Sequence, residues 1–536
     1  MKKIDLGQAV QAVANIGITV LIVAVSLFAM RVSNAQGFLL LESTIDGVHS
    51  SLTSGEITCR ELVELYIDRI EAYDKQGPEL NAIQHINTRA LQEAEELDAA
   101  FEDSGLVGPL HCVPVLLKDQ VETSDMPTTY GSSIFTGFVS GRDATIVTRM
   151  KQAGAIILAK TNMGEFAFGH VGSAFGMVRN AYDPTRIPSG SSAGTGAGIA
   201  ANFGLVGIGE DTGGSIRGPA AVHSLVGLRP TVALVSRFGM MPANPTNDTL
   251  GPMTRTVADA AILLDVLAGY DSSDPVTAYS VGRLPESYRT GLDEGGLAGA
   301  RIGVIRQPMD PKADPESDDY RQVRAVIDRA LEDIASLGAE VIDPVEVPLI
   351  ELVDTTYAKD NFATERAMNE YLETLPNSPI SSLREILLAG RVTPQRAASL
   401  MNVVGRSTED IDYLEVLLTR EQVRQSVLAV MADARLDAFV YATFDHQTTV
   451  IPPDALTRAS RDDGYGRGNN RRLSPLIGFP AITVPAGFTA DGLPVGLEFL
   501  GREFSEGLLL RFAYAYEQVS QRRQPPTTTP PLLAAP

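Results

Sequence analysis

Histidine is scarce and dispersed in this chain. The six, His49, His85, His111, His170, His223 and His446, show no spacing that would set two or three imidazoles around one metal ion. No metal and no cofactor are therefore expected. Cysteine is scarcer still, and Cys59 and Cys112 allow one disulfide at most. Cys59 falls within a helical pattern and Cys112 just before an apolar strand, positions that suit small buried residues, so both are expected to be free thiols. A bridge between them is the alternative if the protein is exported. Long basic runs are missing as well. Lys and Arg number 44 against 66 Asp and Glu, a formal charge of −22, and such a surface repels phosphate backbones. Nucleic acid is excluded as a partner. No internal repeat is found.

What is present is a long chain, 536 residues with 44% apolar side chains, enough to bury a large core within one big α/β domain. Its start differs from the rest. Lys2 and Lys3 precede an apolar stretch over residues 16–30, and Ser33-Asn34-Ala35 offers a small-x-small exit before Gln36. These features describe an export signal over residues 1–35, and hence a periplasmic or extracellular protein. The apolar stretch is shorter than the roughly 20 residues a membrane span needs. An uncleaved N-terminal anchor is the alternative, and only then would the protein meet a membrane.

Thr58-Cys59-Arg60-Glu61 reads as a capping box, followed at helical spacing by Leu62, Val63, Tyr66, Ile67 and Ile70. A second helix is expected over residues 89–101, and then a buried strand over 113–117 that ends at Lys118. Asp143 is placed to cap a helix reaching Met150, with another strand over 155–159. A capped helix over 256–267 and a strand over 301–305 follow. Residues 352–432 carry helical patterns without strands, a helical insertion. Strands resume over 438–441, 481–484 and 495–500, before a last helix over 505–518. Helices alternating with short apolar strands imply a mixed, twisted α/β sheet covered by helices on both faces. The domain spans residues 36–522, and the Pro- and Thr-rich tail, 523–536, is expected to be disordered.

The informative stretch, residues 188–221, reads PSGSSAGTGAGIAANFGLVGIGEDTGGSIRGPAA. A phosphate-cradling loop would need a Gly-Lys-Ser/Thr ending, which is missing. Gly196, Gly198 and Ala201 fit a dinucleotide fingerprint. However, no clear strand precedes them, and Glu210 and Asp211 come too early for a ribose partner. Close helix–sheet packing accounts for the small residues 197–201. It does not account for Asp211-Thr212-Gly213-Gly214-Ser215-Ile216-Arg217.

The serine pair Ser191-Ser192 and that second segment resemble the amidase signature family, in which the first serine of the pair and the Gly-Gly-Ser serine lie 24 positions apart, as Ser191 and Ser215 do here. Residues 113–119, an apolar strand ending in Lys118-Asp119, match the family's lysine block. Ala159-Lys160-Thr161-Asn162-Met163, Arg179-Asn180-Ala181-Tyr182-Asp183, Gly478-Phe479-Pro480 and Leu493-Pro494-Val495-Gly496 extend the match over roughly residues 40–520. The family commonly has Gly-Gly on either side of the serine pair, whereas this chain has Ser189-Gly190 and Ala193-Gly194. Cys112 stands where glycine is common. None of these departures removes a reacting group.

The resemblance implies an amidohydrolase with Ser215 as nucleophile, Ser191 as relay after a cis peptide bond to Gly190, and Lys118 as base. Backbone N–H groups of Thr212, Gly213, Gly214 and Ser215 can converge on the oxyanion, since glycine permits the turn. Ser192, Asp211 and Arg217 are expected to brace the loop, Asp211 and Arg217 as a buried pair. Met163, Phe166 and Ala167 lie where relatives line an acyl pocket, and the insertion is expected to form its entrance. The partner implied is a small-molecule amide, with esters and carbamates open to the same route, acted on by a monomer or homodimer. The other readings are the ammonia-donating component of a tRNA-dependent amidotransferase, and a binding protein on an inactive amidase scaffold.

Overall fold

The apolar run before Lys118 becomes a strand in the computed structural model, which describes residues 38–459 and 467–532. The expected export signal lies outside these residues. Thirteen strands are described: β1 (Ile83–Ile86), β2 (Pro114–Lys118), β3 (Ile156–Thr161), β4 (Val171–Gly172), β5 (Gly176–Met177), β6 (Val206–Asp211), β7 (Val226–Arg229), β8 (Thr249–Thr254), β9 (Arg301–Ile305), β10 (Glu340–Val345), β11 (Ala438–Ala442), β12 (Ala481–Phe488) and β13 (Pro494–Leu500). Eleven form one sheet in the order β1-β3-β2-β6-β8-β7-β12-β13-β11-β9-β10, and β4 pairs with β5 apart from it. The sheet is mixed: β3, β2 and β6 run parallel, as do β11, β9 and β10, while the strands between them are antiparallel.

Parallel strands covered on both faces read as unbroken apolar runs, because neither face meets water. β2 and β3 are buried along their whole length. Full burial of a side chain such as Leu116 or Leu117 contributes about 1.5–3 kcal/mol each. The helix Ala193–Ala200 and the short helix Arg217–Ala221 pack on β2, β6, β7 and β12, and the helices Val257–Leu267, Asp318–Ser336 and Glu506–Ser520 pack on β8, β12 and β13. Ala193–Ala200 is wholly buried and made of small residues because the sheet comes very close. A Cβ on Gly198 would stand 2.8 Å from Leu116 Cδ1, and one on Gly196 2.9 Å from Pro219 Cβ. The glycines of the dinucleotide-like pattern are thus occupied by protein.

The capping box at Thr58 forms with both of its hydrogen bonds, at the head of the helix Cys59–Tyr73. Asp143 does not cap the next helix but one. That helix, Thr145–Gln152, starts after Ala144, and Asp143 accepts from Ser124 N–H at 2.7 Å and from Lys151 at 3.0 Å. Between β10 and β11 the chain is helical, with no strand over residues 352–432.

Two further expectations are corrected. The tail is held rather than loose as far as Pro530. Buried Arg69 needs acceptors for its guanidinium and takes the carbonyls of Thr529 at 2.9 Å and Pro530 at 3.0 Å, while Arg523 pairs with Glu42 at 2.6 Å. Cys59 and Cys112 are bonded to each other, not free. Their Cα atoms stand 5.5 Å apart, well inside the span a disulfide bridges. The bridge ties the head of the first long helix to the entry of β2. With the cysteines 53 positions apart in the chain, chain-entropy reasoning gives roughly 4 kcal/mol of stabilisation. Reductant, or Cys59→Ser combined with Cys112→Ser, is therefore expected to lower Tm by several degrees. Superimposable melting curves with and without reductant would contradict the pairing.

Candidate active site

Lys118 ends β2 and Asp211 ends the adjacent parallel strand β6, so the signature segments meet at the carboxyl ends of parallel strands, where open α/β sheets place their ligands. Lys118 is completely buried. Its Nζ donates to Ser191 Oγ at 2.7 Å, to Glu210 Oε2 at 2.7 Å and to the Glu210 carbonyl oxygen at 3.3 Å. Burial drives the Lys118 amine below the ordinary lysine range, and the Glu210 carboxylate acts in the opposite sense.

The Gly190–Ser191 peptide bond is cis. Gly190 has no room for a side chain, since a Cβ there would lie 1.9 Å from the Gly169 carbonyl oxygen. The Ser191 carbonyl accepts from Gly164 N–H at 3.1 Å, which joins the serine pair to the loop after β3. Ser192 Oγ donates to the Glu210 carbonyl and accepts from Glu210 N–H, both at 3.2 Å, pinning the end of β6.

After β6 the chain turns sharply through Gly214, at φ 111°, a conformation that glycine adopts at little cost. Asp211 organises this turn. Its carboxylate accepts from Gly214 N–H at 2.6 Å and Ile216 N–H at 3.2 Å. Arg217 and Arg229 both pair with it at 3.2 Å, with all three side chains inaccessible to solvent. Burial alone would raise the Asp211 carboxyl, but the two guanidiniums hold it well below the usual carboxylate range. Arg217 also pairs with Glu498 of β13. The expected Asp211–Arg217 pair is present. Gly214 N–H, by contrast, is committed to Asp211 and is not offered to a substrate oxygen. Thr212, Gly213 and Ser215 remain of the four expected donors. Ser215 itself is half-buried at the head of the short helix Arg217–Ala221.

Several neighbours were not foreseen. Tyr357, from the insertion, lies over the glycine turn, and a Cβ on Gly213 would be 2.0 Å from its hydroxyl oxygen. Arg471 donates to the Gly214 carbonyl at 2.9 Å and to Ser189 Oγ at 3.3 Å. Glu210 contacts Lys118, and Asp248, fully buried, lies near both. Burial and then the Glu210 charge push the Asp248 carboxyl up to about 7. One signal for Glu210 was available: it shares a strand with Asp211, and a strand sends neighbouring side chains to opposite faces.

The expected pocket residues are mostly interior. Met163 is fully buried and Phe166 nearly so, packed edge-on to Phe135 at 6.3 Å, which leaves Ala167 half-exposed. Phe166 and Ala167 hold left-handed φ values of 48° and 61°, costing of order 1–3 kcal/mol each. The insertion clamps them: Arg396 donates to the Phe166 carbonyl at 2.7 Å, and Thr393 N–H to Glu165 at 2.7 Å. Among the described residues, Cys59, Asp98 and Cys112 form the one tight group of potential metal ligands. There the sulfurs are bonded to each other, and Asp98 accepts the N–H groups of Cys59 and Arg60.

Comparison with known proteins places the fold in a family. The family model Amidase matches residues 61–510. The chain is 33% identical over 500 residues to the A-type subunit of a glutamyl-tRNA(Gln) amidotransferase from Exiguobacterium sp., covering 90% of this chain and 98% of that protein. The crystal structure of a peptide amidase bound to the competitive inhibitor chymostatin superimposes with a TM-score of 0.83 at 34% identity, over 91% of this chain and 100% of that one. The corresponding amidotransferase subunit from Thermotoga maritima gives 0.70 at 27% identity, over 90% and 96%. The chain belongs to the amidase signature family. That membership supports hydrolysis of amide C–N bonds as its general chemistry.

Proposed function

We propose that this protein is an exported amidohydrolase that cleaves a small carboxylic amide through an acyl-enzyme on Ser215, with Lys118 as base and Ser191 as relay. The observation that carries the reading is the 2.7 Å contact of a solvent-free lysine amine with Ser191 Oγ, directly after the cis bond and beside the turn that presents Ser215. An amide carbonyl is a poor electrophile, so the serine must lose its proton as it attacks. The Ser215 proton passes to Ser191, and the Ser191 proton to Lys118, while Ser215 Oγ bonds to the carbonyl carbon. N–H groups of Thr212, Gly213 and Ser215 are the donors available to the oxyanion. The proton then returns through Ser191 to the leaving nitrogen as the C–N bond breaks. Water attacks the acyl ester by the same route, releasing the acid and restoring Ser215. Esters and carbamates are open to these steps.

The amidotransferase relatives support a second reading, an ammonia donor to a partner protein. The closer superposition on a peptide amidase favours independent hydrolysis. Purified protein is expected to turn over members of a panel of amides, anilides, carbamates and dipeptide amides unaided. No turnover by a correctly folded chain would defeat the proposal.

For export, the Cys59–Cys112 bond supports an oxidising compartment. N-terminal sequencing of protein from the exported fraction is expected to begin at Gln36. A soluble, unprocessed cytoplasmic chain would overturn that part.

A further inference from the structure

We propose that Glu210 is a positioning residue for the proton transfer: its carboxylate, in contact with Lys118 Nζ, holds the amine against Ser191 and governs its charge state. This rests on Lys118 being the base. The two shortest contacts on Nζ are equal, 2.7 Å to Ser191 Oγ and 2.7 Å to Glu210 Oε2, and neither Lys118 nor Glu210 meets solvent. The carboxylate is fixed from its other side, where Oε1 accepts the Thr212 hydroxyl at 2.6 Å. Glu210 therefore cannot swing away, and its charge bears on the amine at contact distance.

The remaining charges around Lys118 are differently engaged. Asp211, next on β6, is matched by Arg217 and Arg229. Asp248, just before β8, is capped by the N–H groups of Ala243 and Asn244. Tyr357 approaches from the insertion, and on the β3 side Lys160 pairs with Asp119 at 3.0 Å. Glu210 is the carboxylate in direct contact with Lys118. Burial pushes the amine toward neutrality, Glu210 opposes it, and the balance fixes where on the pH scale Lys118 can accept a proton. Removing one partner of a buried pair leaves the other charge uncompensated, so without the carboxylate the lysine sheds its proton more readily.

The test is the rate at which a fluorophosphonate labels Ser215, measured against pH, in the wild type, Glu210→Gln and Glu210→Asp. This rate needs no knowledge of the natural substrate. In Glu210→Gln the acidic limb is expected to move to lower pH by about one unit or more, the size of effect an opposite charge in contact exerts. Glu210→Asp, whose shorter side chain weakens the contact, is expected to move it the same way by a smaller step. A purely structural brace predicts slower labelling at every pH with the limb unmoved, and that result overturns the proposal. If Glu210→Gln does not fold, an unmoved limb in Glu210→Asp overturns it equally. Failure of the underlying reading looks different: Lys118→Arg would then remain active whatever Glu210 does.

Discussion

Ser215→Ala is expected to lower hydrolysis about a millionfold, to the background left by binding and the oxyanion donors, because it removes the attacking oxygen itself. The fold should survive. The lost atom is one hydroxyl on a half-buried residue, while the turn around it is held by Asp211, Arg217 and Arg229. A substitution that leaves such a framework intact ordinarily shifts stability by less than about 0.5 kcal/mol. Fluorophosphonate should label wild-type protein at Ser215, as read by peptide mapping, and should not label the variant. A label found on another serine, with the alanine variant still active, would show that the nucleophile lies elsewhere.

The parts of this site legible in the sequence are those carried by local pattern. The apolar run ending at Lys118 could only be a covered strand, and residues 301–305 became β9 residue for residue. The Asp211–Arg217 pair spans six positions, close enough to foresee. What escaped depends on contacts between distant segments. Glu210 meets Lys118 because β2 and β6 pair in parallel, with Leu117 opposite Ile208, a register that neither strand reveals alone. Tyr357 reaches Gly213 from an insertion whose helices, but not their docking, were apparent. Cys59 and Cys112 each looked like a small core residue, and only the fold brings their Cα atoms together. The tail read as disordered from its composition, yet composition says nothing about a buried Arg69 in need of carbonyl partners.

The glycine turn is held by one local and one distant contact. Asp211 occupies Gly214 N–H, and Arg471 occupies the Gly214 carbonyl. The turn is thereby fixed before any substrate arrives, and in the proposed mechanism its remaining N–H donors would need no reorganisation as charge develops on the carbonyl oxygen.

Lys118→Ala is expected to reduce kcat by roughly 10²–10⁴, the worth of a positioned general base, and Lys118→Arg is expected not to restore it. A lysine at its usual value of about 10.4 is protonated at neutral pH, and bringing it to 7 requires roughly 4.6 kcal/mol against the charged form. Complete burial acts in that direction. Only the neutral amine accepts a proton, so the wild-type kcat/KM should rise with pH through the depressed lysine value and then level off. Arginine keeps the positive charge but stays protonated at any usable pH, and so cannot serve as base. A structural lysine makes the contrary forecast, near-normal activity in Lys118→Arg, because a cation would still face Glu210. Since the larger guanidinium must fit a sealed site, Tm is measured alongside, and Lys118→Ala provides the comparison should the arginine variant be unstable. Activity of folded Lys118→Arg within about tenfold of wild type, a difference of roughly 1.4 kcal/mol in barrier height, would remove Lys118 from the mechanism. A loss of three orders of magnitude in both variants, with Tm near the wild-type value, would leave the buried amine as the acceptor of the proton relayed through Ser191.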